Sequence, residues 1–129
     1  MLGVVDDRAL KLTLAGKEYD LLLNVGAIQE ITRKYGGLEE AMTVITDFDT
    51  NPNAWDDIIF LITTLINQGT KLHNFMNPEE RRDMVSEEVV SLAMPFTDIL
   101  KYVRLITAAV SVGTMRKVAA DEKKTTMSQ

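Results

Sequence analysis

The residues able to do chemistry in this chain are few and widely spread. His73 is the sole histidine, cysteine is absent, and many of the acids fall into adjacent pairs, among them Asp6-Asp7, Glu39-Glu40, Asp56-Asp57, Glu79-Glu80 and Glu87-Glu88. A nucleophile needs a base in reach, and a metal needs several converging ligands. One histidine in "TKLHNFM", expected between two helices, supplies neither. Without thiolates or a second imidazole, zinc would need a shell built almost wholly of carboxylates, an uncommon choice. Neighbouring residues on a helix point about 100° apart, so the acid pairs do not converge. Four of the five fall near expected helix starts, where negative charge meets the positive end of the helix dipole. "KYGGLEE" lacks the lysine-serine pair of a phosphate loop. "DFDTNPNAWDD" lacks the glycine and glutamate of a calcium hand. The inventory predicts no catalytic residue, no cofactor and no metal.

The elements that would position any site follow from periodicity. Leu10, Leu12 and Leu14 alternate with Lys11 and Thr13, the two-residue period of a half-buried strand. Gly16-Lys17 is expected at the centre of a hairpin turn, with Tyr19 to Leu23 returning as the second strand. A lone hairpin is marginal in water, so its leucine face needs a helical support. Asn24 reads as the N-cap of a helix closing at Gly36-Gly37, and Leu38 to about Thr46 resumes helix. Trp55, Ile58, Ile59, Ile62, Leu65 and Ile66 form the broadest apolar stripe, on a helix expected over 55–68 and stopped by Gly69. Asn77-Pro78-Glu79-Glu80 has the form of a helix start, and Ser86-Glu87-Glu88 of a second one. Pro95 breaks the chain before a last helix over 96–112 carrying Ile99, Val103, Ile106 and Val110.

The expected fold is α+β, mostly α: an N-terminal β-hairpin over residues 9–23, then about five helices over 25–113 in one compact helical domain. Residues 114–129 lose the periodic pattern and read as a flexible C-terminal tail. With 129 residues, 46% hydrophobic and 26% charged, one globular domain is the expectation. The net charge of −5 and the lack of any dense Lys/Arg cluster argue against nucleic acid. No apolar run approaches the roughly 20 residues that span a bilayer. The acidic start "MLGVVDDRAL" is unlike a secretory signal, so a cytosolic location is expected.

A binding surface must then be sought among apolar side chains. Phe60 falls opposite the main stripe of its helix, and Leu105 and Val112 fall off the stripe of the last one. These three are the candidate partner-binding residues.

The stretch "LKLTLAGKEYDLLLNVGAIQEITRKYGGLEEAM" resembles the opening of tail assembly chaperones from long-tailed bacteriophages and prophages. The likeness lies in a "GKEY" hairpin, an apolar helix closing on Tyr-Gly and an all-helical remainder, and it is specific over Gly16 to Gly37. The resemblance implies a non-catalytic protein of the host cytoplasm that binds the tape measure protein, keeps it soluble and helps recruit the tail tube protein. It also implies a homo-oligomer, and in many such proteins a longer form made by ribosomal frameshifting, for which Lys123-Lys124 marks a candidate slip site. The alternative from another class is a small acidic helical regulatory protein acting through protein contacts in transcription control. A small enzyme fits the inventory least.

Overall fold

A computed structural model describes the main chain of residues 9–127 and the side chains of 10–114. Asp6-Asp7 and the last two residues of the expected tail lie outside that range, as do the side chains of Lys123-Lys124.

Strands β1 (Ala9–Leu14) and β2 (Lys17–Leu22) pair antiparallel, Leu14 opposite Lys17 and Lys11 opposite Asp20. An ion pair between Lys11 and Asp20 bridges them on the outer side. The turn is Ala15-Gly16, one residue earlier than expected, with φ of 51° and 78°. Two positive φ values give the twist that matches right-handed strands, and alanine bears the steric cost of its own. Leu12 and Leu14 are buried while Lys11 and Thr13 are exposed, as alternation requires. β2 abandons alternation at its end. Leu21, Leu22 and Leu23 are all buried, because that end of the strand is enclosed by the helices as well as by its own hairpin.

Helix α1 (Val25–Tyr35) begins at Asn24, whose side chain accepts from the Ala27 N–H at 2.9 Å. It ends at Gly36, whose left-handed φ of 94° lets its N–H return to the Thr32 carbonyl. Helix α2 (Leu38–Thr46) follows at once, with Glu39 and Glu40 in its first turn.

Helix α3 (Ala54–Met76) is the axis of the molecule and packs on β2, α1, α2, α4 and α5. It does not stop at Gly69, contrary to the sequence expectation. A Cβ there would lie 2.7 Å from the Asp20 carbonyl oxygen, so this glycine lets strand and helix approach. The Asn77-Pro78 helix start is also overturned. Asn77 closes α3 instead, its N–H and its side-chain Nδ2 both donating to the His73 carbonyl, at 2.8 and 3.0 Å. Residues 78–80 turn, and 81–86 run extended along α3 as a strap.

Helix α4 (Glu87–Ala93) starts at Ser86 as expected, with the serine Oγ accepting from the Val89 N–H. Met94 and Pro95 are extended, and a 3₁₀ turn at Phe96–Asp98 leads into α5 (Ile99–Met127). Gly113 does not end α5. A Cβ on it would sit 3.1 Å from Leu23 Cδ2, another close approach. The backbone is helical on through residue 127. One core joins both strands to every helix through Leu12, Leu21, Ile31, Ile45, Ile62, Val90 and Ile106, among others. The fold is α+β and mostly α, a hairpin followed by five α-helices.

Candidate functional site

Titratable groups are dispersed. Asp57, in the first turn of α3, accepts from the Tyr35 hydroxyl at 2.7 Å and from Asn51 Nδ2 at 2.9 Å. This ties the end of α1 to the start of α3. Burial, then the hydrogen bond to Asp57 and its charge, with Glu87 adding a little, push the Tyr35 phenol well above its usual value. Burial and then Asp98 raise Tyr102 in the same sense. Both phenols stay protonated at neutral pH and neither is poised as a base. His73 lies in the last turn of α3 rather than in a loop. Its Nε2 sits 2.7 Å from the Glu80 carbonyl, so that nitrogen carries the proton and donates. Among the described residues no group of three His, Asp or Glu is placed to hold a metal.

A cleft of about 270 Å³ lies between α3 and the strap, lined by Glu30, Phe60, Thr63, Lys71, Met84 and Glu87 among others. Its wall is mostly polar, with Phe60, Met84 and Val85 as its apolar members. Phe60 is half-buried: its ring meets Tyr35 edge-on with centroids 5.9 Å apart, and Lys34 Nζ lies 4.2 Å from its centre. Leu105 and Val112 are also half-buried. They are seven residues apart on α5 and so share a face, with Leu105 packed on the core. Phe60 belongs to α3, beside Tyr35 of α1.

The apolar side chains that face outward most fully are others. Phe75 is 81% exposed, and Leu92 and Phe96 are each 80% exposed; Met76, Met84, Val89 and Leu100 are exposed as well. An exposed leucine alone is ordinary. Two of these side chains, with Val89 and Leu100, fall in twelve residues that cross from α4 to the start of α5. Val89 and Leu92 lie one turn apart on one face of α4, while Val90 between them is buried. α4 thus turns one apolar residue inward onto α3 and leaves two outside. Such a run of exposed apolar side chains is a candidate contact surface. Sequence reasoning passed over this run because α4 has only seven residues, too short for a stripe to declare which side is inner. The signal available was that "VVSLAMPF" carries more apolar residues than a short helix and its exit can bury.

No protein-family model, curated protein or solved structure matches the chain.

Proposed function

We propose that this protein is a tail assembly chaperone of a long-tailed bacteriophage or prophage. In this reading it performs no catalysis. It binds the tape measure protein in the host cytoplasm, keeps that protein's long apolar helices soluble, and helps to recruit tail tube subunits while associating with copies of itself. The reading is supported chiefly by the outward apolar run Val89, Leu92, Phe96 and Leu100. A holding protein must keep apolar side chains outside without needing them for its own core, and these four are carried on a scaffold whose core is complete beneath them. The hairpin of "GKEY" and the helix closing on Tyr35-Gly36 add the resemblance already described. The negative net charge disfavours the regulatory alternative in its DNA-contacting form.

Co-expression with a tape measure fragment tests the proposal. The fragment is expected in the soluble fraction, bound to this protein, and in the pellet without it. A fragment whose solubility is indifferent to the protein refutes the function.

A further inference from the structure

Two asparagines hold the strap. Asn67 Nδ2 donates to the Val85 carbonyl at 2.8 Å while its Oδ1 accepts from the Val85 N–H at 2.9 Å. Asn74 does the same for Arg82, at 2.9 and 2.8 Å. Each side-chain amide thus imitates the partner residue of a β-ladder. The spacing makes this possible: seven helical residues rise about 10.5 Å, and three extended residues span about 10 Å.

Little else fixes the segment. Every residue of 77–86 is exposed except Val85, which is half-buried, so the strap contributes almost nothing to the apolar core. Beneath and beside it α3 is polar: Thr63, Thr64, Thr70 and Asn74 are buried, and the Thr63 hydroxyl has no hydrogen-bond partner. Water reaching this face would satisfy that hydroxyl and both asparagine amides, which lowers the cost of opening. Both ends are anchored, by Asn77 at the His73 carbonyl and by Ser86 at the start of α4.

We propose that residues 77–86 form a lid that opens as one unit while the core stays folded. Opening breaks the Asn67 and Asn74 bonds and the bond from His73 Nε2 to the Glu80 carbonyl together, while the Asn77 and Ser86 anchors hold. It joins the Phe60–Thr63 cleft to a second one of about 240 Å³, lined by Tyr19, Thr70, Arg82 and Asp83 among others, into a single trough along α3.

Amide hydrogen exchange on the full chain, followed by NMR in low urea, tests this. After correction for intrinsic rates, Arg82 and Val85 are expected to exchange about 100-fold faster than Ile62 and Leu65. Their rates should barely change with urea, because local opening exposes little surface, while those of Ile62 and Leu65 climb. In Asn74→Ala, Val85 is the reporter, since its own partner Asn67 is intact. Its exchange should rise about tenfold and remain insensitive to urea. The lid is refuted if Arg82 and Val85 share the rates and urea slope of Ile62, or if Val85 ignores the loss of Asn74. Should Asn74→Ala not fold, the wild-type urea dependence decides alone.

Discussion

Replacing Gly69 by alanine sets two opposed effects against each other. In the middle of a helix, alanine is favoured over glycine by about 1 kcal/mol. Against this, the new Cβ would lie 2.7 Å from the Asp20 carbonyl oxygen and 3.0 Å from Asp20 Cβ. Ordinary contact begins near 3.4 Å, so helix and strand must separate by several tenths of an ångström. Neither side yields easily. Asp20 is in register with Lys11 in the hairpin, and α3 is packed on both its other flanks. Overpacking costs about 1–3 kcal/mol, and a clash of main chain against a helix belongs in the upper part of that range. The net expectation is a loss of about 1–2 kcal/mol, or a fall in Tm of about 3–10 °C for a chain of this length. Thermal and urea unfolding followed by circular dichroism measure it. Gly113→Ala is the control, with the same helical gain but a Leu23 side chain as its neighbour at 3.1 Å. Leu23 Cδ2 can turn aside and the fixed Leu23 Cβ, at 3.3 Å, is barely inside ordinary contact, so the variant should lie within about 1 kcal/mol of the wild type. If Gly69→Ala matched or exceeded the wild type, helix propensity would govern and the close approach of β2 to α3 would be wrong.

Three further outcomes are expected. Ala15→Asn should stabilise the hairpin turn by about 0.5–1 kcal/mol, because asparagine tolerates the positive φ that alanine resists; urea midpoints check this. Leu92→Glu combined with Phe96→Glu should leave Tm within a few degrees, both side chains being 80% exposed, yet abolish retention of the tape measure fragment in a pull-down. Tyr35→Phe should cost about 1–2 kcal/mol through loss of the bond to Asp57. It should also change the alkaline limb of the stability profile. The folded-state phenol titrates above its ordinary value near 10, so its contribution is whole below that pH and is lost as pH rises beyond it. The wild type should therefore lose stability above about pH 10 more steeply than the variant, as read from urea midpoints across pH 8–11.

Local signals were legible where the local chain was also the final arbiter. Asn24 and Ser86 cap the helices they precede, and Gly36 ends α1 through a bond to its own last turn. The stripe from Trp55 to Ile66 faces inward because α3 must bury it somewhere. Errors arose where a distant neighbour decided. Gly36, Gly69 and Gly113 are the same residue after the same kind of apolar helix, but only the first is a stop. The other two are spaces kept open for Asp20 and Leu23. Likewise Asn77-Pro78-Glu79-Glu80 has every feature of a capped start, yet Asn77 is engaged at the end of α3 and the strap beyond it is drawn out by Asn67 and Asn74. In the candidate site, Phe60 was identified from its angle on the helix, but that angle does not reveal Tyr35 and Lys34 packed across it.

The sequence by itself determined the class of the fold, a leucine hairpin ahead of apolar helices, because period and caps are properties of neighbouring residues. It also determined the shortage of reactive side chains, which is a matter of composition. Tertiary structure alone decided which glycines end helices, which asparagines serve as latches, and which apolar residues are left outside. Those outcomes depend on what lies across from a residue in space, and a chain with one central helix brings together partners many turns apart in sequence.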